Sequence, residues 1–212
     1  NENPKNNFLK KIRNLANKKG IVLIFDECTS GFRKNYGGIH KIFKVNPDIA
    51  LFGKALGNGY AITAIIGKKK VMKFAQSSFI SSTFWTERIG YAAALAALRE
   101  MKKKKSWNTI NNNGNYIIKN LKQLSKKHNL QIKIQALPAL CNYIIVSKNW
   151  QQYKTLITQE MLKKGFLATN AIYSSIAHTK SIIDKYFKEL DKIFLLIKEC
   201  ENGRKISDYL KY

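Results

Sequence analysis

The hydrophobic positions near the start of the chain follow a helical period and then merge into one continuous run. Phe8, Ile12 and Leu15 are spaced for one face of a helix, and Gly20 is a typical C-terminal stop. Residues 21–25 (IVLIF) are uniformly apolar and rich in strand-forming side chains, which is typical of a short, fully buried strand. A helix, a glycine and a buried strand in this order predict an α/β domain with a mostly parallel sheet.

A long polar loop separates this strand from two further apolar runs. Residues 28–46 are rich in glycine and polar side chains, and long loops within compact domains are usually functional. Residues 48–52 (DIALF) and 61–67 (AITAIIG) predict the second and third strands. Residues 79–84 (FISSTF) predict an extended segment, and the alanine-rich run 89–102 predicts a tightly packed helix.

The second half of the chain has the pattern of a smaller α+β domain. The Asn-rich residues 108–115 (NTINNNGN) predict a linker in front of it. Apolar residues at helical spacing predict helices over 116–128 and 150–164, with two strands between them around Pro138. Thr179 is suited to cap a long final helix that has a buried apolar stripe.

The chain carries a formal net charge of +25, which is compatible with nucleic-acid binding. Arg, whose forked donors suit phosphates and base edges, accounts for only five of the 38 basic residues. The Lys residues are spread over the whole chain, which favours solvated surfaces rather than one binding face. We therefore expect no nucleic-acid partner and keep a basic nucleic-acid-binding protein as an alternative.

The cysteines Cys28, Cys141 and Cys200 are scattered, without the spacing of a metal site or a disulfide framework. They indicate reduced thiols in a cytoplasmic protein that holds no metal. No apolar run approaches the roughly 20 residues that a membrane-spanning helix needs, so we expect no membrane partner. The chain has neither an initial Met nor a signal peptide, so we interpret it as a fragment or a processed product.

An acid and a lysine follow the first two predicted strands. Asp26 ends the apolar part of IVLIFDE, and Lys54 follows the next strand in the sequence FGKA. The acidic strand alone also fits a P-loop ATPase, but Asp48 and Ala55 stand where that loop needs a glycine and a hydroxyl residue. Lys54 can instead form a Schiff base with an aldehyde, of which pyridoxal phosphate is the usual one. A carboxylate such as Asp26 keeps the ring nitrogen of that cofactor protonated.

Two stretches that include these residues resemble the class III aminotransferases, the family of the ω-aminotransferases and glutamate-1-semialdehyde aminomutase. They are IVLIFDECTSGFR at 21–33 and PDIALFGKALGNGYAITAIIGKKKVM at 47–72. The similarity implies a fold-type I enzyme that depends on pyridoxal 5′-phosphate. Gly57 and Gly59 are expected to provide positive φ in the turn after the lysine.

The resemblance also implies roles for four residues. Lys54 would carry the cofactor as a Schiff base, and Asp26 would bind its ring nitrogen. Ser82 and Thr83 fall where the family binds the cofactor phosphate. In the family this Thr reaches the cofactor of the neighbouring subunit, so the resemblance implies a homodimer.

By the same resemblance, residues 1–107 are the C-terminal part of the cofactor-binding large domain, a truncated one, and 108–212 are the small C-terminal α+β domain. The implied reaction is amino-group transfer between small molecules, catalysed by a transaminase or a 2,1-aminomutase, since both use the same lysine and acid. The family's phosphate cup and ring-stacking aromatic residue fall outside this chain. An inactive truncated aminotransferase is therefore a further alternative.

Overall fold

The computed structural model describes residues 4–135 and 137–211. The chain divides between Asn108 and Thr109 into two compact units, which we name the N-terminal unit and the C-terminal unit. The assignment of the two halves to a truncated large domain and a small domain remains a prediction.

A three-stranded sheet forms the centre of the N-terminal unit. The helix α1 (Phe8–Lys19) precedes it and ends, as predicted, at Gly20, whose φ of 66° suits a helix stop. The strands are β1 (Ile24–Asp26), β2 (Ile49–Phe52) and β3 (Ala64–Gly67), in that order across the sheet. β1 pairs with β2 in parallel, whereas β3 pairs with β2 antiparallel. Because β1 and β2 are parallel, their C-terminal ends lie side by side at the same end of the sheet.

Across residues 4–108, two further helices and three short 3-10 turns complete the unit. The helices are α2 (Lys69–Met72) and α3 (Arg88–Lys104), and the turns cover Ile39–Lys41, Lys54–Leu56 and Lys73–Ser77. Residues of β2, of the turn after it and of α3 form a small buried core, which comprises Ala50, Phe52, Leu56 and Ala94.

The prediction of a fully buried strand over residues 21–25 is wrong. Ile21, Val22 and Ile24 are 56%, 46% and 52% exposed. The side chains of a strand point alternately to the two faces of its sheet, and none of residues 21–25 is buried on either face.

The predictions for residues 79–102 are correct only in part. Residues 79–82 lie in irregular chain that pairs with none of the described strands, and residues 83 and 84 begin a turn, so the predicted extended segment does not continue to 84. α3 forms, but Gly90 and Ala94 are its only buried residues, so it is not tightly packed all round. A Cβ on Gly90 would lie 2.7 Å from the carbonyl oxygen of Ala61, so the close packing of α3 is confined to one strip of small residues.

Asp48 is buried and joins three segments of the N-terminal unit. Its Oδ2 accepts hydrogen bonds of 2.8 Å from the backbone N–H of Leu23 and from the guanidinium of Arg13 in α1. Its Oδ1 lies 2.7 Å from Nζ of Lys68, which directly follows β3. The Leu23 N–H, Lys68 and Arg13 hold the pKa of Asp48 well below its ordinary value. The carboxylate therefore ties α1 and the ends of β1 and β3 to β2.

In its described residues, the C-terminal unit combines a three-stranded sheet with three helices. Its elements are α4 (Ser106–Lys127), β4 (Ile132–Gln135), β5 (Leu140–Ile145), α5 (Trp150–Leu162), β6 (Ala171–Tyr173) and α6 (Lys180–Glu201), and the first three residues of α4 still belong to the N-terminal unit. β5 lies between β4 and β6 and pairs antiparallel with both. The helices and β5 contribute most of a larger core, with fully buried side chains that include Leu121, Tyr143, Leu156 and Phe194.

The final helix begins as predicted. The side chain of Thr179 caps α6 by accepting a hydrogen bond of 3.3 Å from the backbone N–H of Ile182. None of the helices in the described residues is both long enough and apolar enough to cross a membrane.

The predicted linker over residues 108–115 is wrong, because this segment lies within α4. Asn and Gly favour turns in isolation, but contacts with the rest of the unit stabilise the helix here. A Cβ on Gly114 would lie 2.0 Å from the carbonyl oxygen of Pro138, so only glycine allows this approach. The amide of Asn113 donates hydrogen bonds to the carbonyl oxygens of Ser175 and His178, at 3.1 and 2.7 Å.

We expect Asp48→Asn to destabilise the N-terminal unit by about 3 kcal/mol at neutral pH, because it removes a buried charge that pairs with Arg13 and Lys68. The folded-state pKa of Asp48 is lowered, so its ionised form stabilises the fold above the unfolded-state pKa, near 3.8. This stabilisation is lost as the pH falls through the folded-state pKa, and the variant should then match the wild type. Urea unfolding monitored by hydrogen exchange in β1 and β2 measures the difference.

The control for this experiment is Glu100→Gln. It removes an exposed ion pair with Lys104, 3.4 Å long, in the same unit and should change the unfolding free energy little. Equal losses of stability in the two variants would contradict the role of Asp48.

Candidate active site

The structure places Asp26 and Lys54 at the same edge of the N-terminal sheet. Asp26 ends β1 and is aligned with Leu51 of the parallel strand β2. Lys54 begins the 3-10 turn that follows β2. The positive charge of Lys54 contributes to a lowered pKa of Asp26, so the two side chains interact electrostatically. The structure thus brings together the acid and the lysine that the sequence pattern singles out.

The carboxylate of Asp26 is oriented by Cys28. Its Oδ1 accepts a hydrogen bond of 2.9 Å from the backbone N–H of Cys28. This hydrogen bond is the main cause of the lowered pKa of Asp26, and the Cys28 thiol and the charge of Lys54 add to it. Asp26 is therefore ionised at neutral pH and can accept a hydrogen bond from a protonated ring nitrogen. Burial, and then the neighbouring Asp26, raises the pKa of Cys28, which keeps that thiol protonated.

Lys54 has a strained backbone and a side chain held by one hydroxyl. Its φ is 45°, in the left-handed region that costs a residue with a Cβ about 1–2 kcal/mol. Such strain persists only where the surrounding structure enforces it, and it is concentrated at functional sites. Its Nζ donates a hydrogen bond to Oγ1 of Thr29 in the polar loop. Sequence reasoning missed Thr29, because only the path of the loop distinguishes this hydroxyl from its neighbours.

The two glycines after Lys54 serve different purposes. Gly59 has a φ of 106°, as expected. Gly57 has a φ of −86°, so the expectation of positive φ is wrong there. A Cβ on Gly57 would lie 2.2 Å from the carbonyl oxygen of Tyr60, so this position requires glycine for space. The chain after Lys54 therefore folds back on itself in a compact turn.

Ser82 and Thr83 lie apart from this pair in the hydrogen-bond network. Both are exposed, in a segment that is neither helix nor strand. Within the described part of the chain, neither hydroxyl makes a hydrogen bond, to Asp26 and Lys54 or to any other residue. Their hydroxyls are available to a ligand such as a phosphate, and their assignment to cofactor binding remains a prediction.

The described residues contain no group of three or more His, Cys, Asp or Glu side chains that could hold a metal ion. The chemical groups at the sheet edge are thus an amine, a carboxylate, a hydroxyl and a thiol, from Lys54, Asp26, Thr29 and Cys28.

We expect the Lys54→Gly variant to be more stable than the Lys54→Ala variant, by about 1 kcal/mol in the free energy of unfolding. Glycine adopts a φ of 45° without a clash at Cβ. Both variants lose the hydrogen bond to Thr29, so the difference reports the backbone alone. Urea unfolding measures it. Ala55→Gly, one residue on and outside the left-handed region, should instead lower the stability. Equal stabilities of the two Lys54 variants would show that the position is not strained.

Comparison with known proteins covers nearly the whole chain. A family model, Aminotransferase class-III, matches residues 2–193. The chain is 28% identical to the glutamate-1-semialdehyde 2,1-aminomutase of Wigglesworthia glossinidia brevipalpis, over 92% of this chain and 49% of that protein. It is 45% identical to the 3-aminobutyryl-CoA aminotransferase of Cloacimonas acidaminovorans (strain Evry), over 47% of this chain and 24% of that protein. The chain thus spans at most about half the length of these relatives.

Solved structures agree on the fold. The internal aldimine form of the FumI protein of Sphingopyxis sp. MTA144 matches with a TM-score of 0.84 at 22% identity, over 93% of this chain and 48% of that chain. An omega-transaminase from Sphaerobacter thermophilus matches with a TM-score of 0.79 at 19% identity, over 93% of this chain and 49% of that chain. The fold is therefore that of part of a fold-type I transaminase, as the resemblance implies. Since the family model covers most of its residues, the chain belongs to the class III aminotransferase family.

Proposed function

We propose that this protein takes part in amino-group transfer with pyridoxal 5′-phosphate attached to Lys54. The observation that carries the proposal is the placement of Lys54 and Asp26 at the same end of two parallel strands. Membership of the class III aminotransferase family supports it. The solved structure of FumI, which has the same fold, is its pyridoxal phosphate internal aldimine form.

The side chains at the sheet edge fit the two reactive parts of this cofactor. Its aldehyde requires a primary amine, and the exposed Lys54 offers one that is held by a hydrogen bond to Thr29. Its ring nitrogen requires an ionised acceptor, and Asp26 is ionised at neutral pH. When bound, the cofactor supplies an aldehyde that condenses with amines and a ring that withdraws electrons from the substrate carbon.

Lys54 and Asp26 have separate roles in this proposal. Lys54 would bind the cofactor through Nζ. Once free, its amine would take a proton from the substrate carbon as general base and deliver it to C4′ of the cofactor as general acid. Asp26 accepts a hydrogen bond from the ring N–H and so keeps the ring nitrogen protonated. We assign phosphate binding to Ser82 and Thr83, because both hydroxyls are exposed and make no hydrogen bond with the described residues.

The substrates in this proposal are a small-molecule amino donor and acceptor. The relatives include both an aminotransferase and a 2,1-aminomutase, and either reaction needs a proton moved at a carbon that bears an amine. The same lysine and acid therefore serve both. We also propose a cytoplasmic location, which the free thiols of Cys28, Cys141 and Cys200 support.

We propose in addition that two copies associate through the segment that contains Thr83. Phe79, Phe84 and Trp85 are 97%, 53% and 56% exposed, and clustered exposed aromatic residues are typical of an interaction surface. The resemblance to the family gives this Thr a place at the cofactor of the neighbouring subunit. In such a homodimer each site would contain residues of both copies.

Treatment with pyridoxal phosphate followed by borohydride should fix the cofactor to Lys54, because reduction makes the link between amine and aldehyde permanent. Mass spectrometry of the Lys54 peptide measures the label. Lys54→Arg, which keeps the charge but cannot condense, should abolish it. Asp26→Asn should weaken cofactor binding about tenfold, since it removes one charge-assisted hydrogen bond.

Lys41→Arg is the matched control, because it replaces another Lys of the N-terminal unit in the same way. It should leave the label on Lys54 unchanged. Label distributed over surface lysines, with no preference for Lys54 in the wild type, would contradict the proposed function.

Phe79→Ser should weaken self-association at least tenfold, since burying a phenyl ring contributes about 1.5–3 kcal/mol. Sedimentation velocity over a range of concentrations measures the dissociation constant. Leu167→Ser is the control, because Leu167 is equally exposed, at 96%, but lies in the C-terminal unit. A monomeric wild type, or equal effects of the two substitutions, would rule out the proposed contact.

A further inference from the structure

Glu27, the residue after Asp26, forms a buried pair with His40. Glu27 is 2% exposed and His40 is 7% exposed, although both are polar. Oε1 of Glu27 accepts a hydrogen bond of 3.0 Å from the backbone N–H of His40 and lies 2.8 Å from Nδ1 of its ring. Oε2 accepts a hydrogen bond from the hydroxyl of Ser30. One buried carboxylate thus fastens both the beginning and the middle of the polar loop.

The backbone of Glu27 fixes this pair to the sheet. Its N–H donates a hydrogen bond of 2.9 Å to the carbonyl oxygen of Leu51 in β2. Its carbonyl oxygen accepts one of 2.7 Å from the N–H of Gly31, which closes a tight turn. The ring of His40 also packs against Phe25 of β1, with ring centroids 5.9 Å apart.

The turn closed by Glu27 contains the partners of both reactive groups. Cys28 donates its backbone N–H to Asp26, and Thr29 accepts the hydrogen bond from Lys54. Ser30, the next residue, is held by the carboxylate of Glu27. If Glu27 lost His40, the turn would keep its backbone closure but lose the side-chain contact that fixes its orientation.

Gly38 provides a second observation that the pair must fit closely. A Cβ on Gly38 would lie 2.4 Å from the ring of His40 and 3.0 Å from Oε1 of Glu27. The φ of Gly38 is −75°, which any residue adopts, so glycine is needed here for space.

We propose that Glu27 and His40 are positioning residues, which act through the Cys28–Ser30 turn. The turn places Asp26 for the ring nitrogen of the cofactor and Thr29 for the amine of Lys54. This inference rests on the proposed function, in which Lys54 binds pyridoxal phosphate. Glu27, the second acid of the Asp-Glu sequence, and His40 of the long loop thus have a positioning role, although neither touches the reacting atoms.

The test uses three variants of the whole chain. His40→Ala removes the ring contact with Glu27, and His40→Gln restores a side-chain N–H donor at the same position. Ser30→Ala removes only the hydrogen bond to Oε2 of Glu27 and is mild enough to keep the fold if His40→Ala does not. His128→Ala is the matched control, because His128 pairs with Asp191 at 2.6 Å in the C-terminal unit.

Two measurements report the effect. The first is the rate at which pyridoxal phosphate and borohydride label Lys54, relative to other lysines of the same sample, by mass spectrometry. The second is hydrogen exchange of the peptide that covers residues 27–31, without cofactor. We expect His40→Ala to slow the labelling of Lys54 about tenfold and to speed exchange of this peptide, with Ser30→Ala intermediate. His40→Gln should label within about twofold of the wild type, and His128→Ala should match it.

The outcomes separate this inference from the proposed function. Selective labelling of Lys54 in the wild type, with the same rate in folded His40→Ala or Ser30→Ala, would overturn the positioning role alone. Failure of the wild type to label Lys54 selectively would instead contradict the proposed function. Unchanged hydrogen exchange of residues 27–31 in the variants would overturn the positioning role, and this measurement does not involve the cofactor. Loss of labelling in His40→Gln equal to that in His40→Ala would also overturn it, since the donor would then be irrelevant.

Discussion

The carboxylate of Asp48 holds β1 and β2 in register at the ends of the strands opposite Asp26 and Lys54. β1 has only three residues, which is too few for its ladder alone to fix a strand firmly. Asp48 adds contacts before the ladder begins. Its N–H donates to the carbonyl oxygen of Leu23 at 2.7 Å, and its side chain accepts from the N–H of Leu23 at 2.8 Å. The alignment of the acid with the lysine thus depends on a residue that hydrogen-bonds to neither.

Asp26 and Lys54 could be predicted from the sequence, because short sequence patterns place each of them at the end of a predicted strand. Asp26 and Lys54 each follow an apolar run, and an amine and a carboxylate at neighbouring strand ends fit few reactions. Thr29 and the pair of Glu27 and His40 could not be predicted, because their contacts depend on how the polar loop returns to the strand. Local propensity also misled at 108–115, where a contact distant in sequence keeps an Asn-rich segment helical.

The two units differ in how much apolar surface they bury. In the C-terminal unit Leu121, Leu156 and Phe194 are fully buried within a large cluster. In the N-terminal unit the contiguous core is small, and large side chains such as Phe79 and Ile24 are exposed. Because stability follows buried apolar area, the unit that carries Asp26 and Lys54 relies more on polar contacts, such as those of Asp48 and Glu27, than its neighbour does.

The contact of Gly114 with Pro138 has a consequence for which substitutions this chain can accept. The approach is between main chain and main chain, since the missing Cβ is what allows the carbonyl of Pro138 to lie against α4. The spacing between the helix and the segment that leads into β5 is therefore set by the main chain at this point. Any side chain at Gly114 would push the helix away from that segment, and the neighbouring Asn113 is held by its hydrogen bonds to Ser175 and His178.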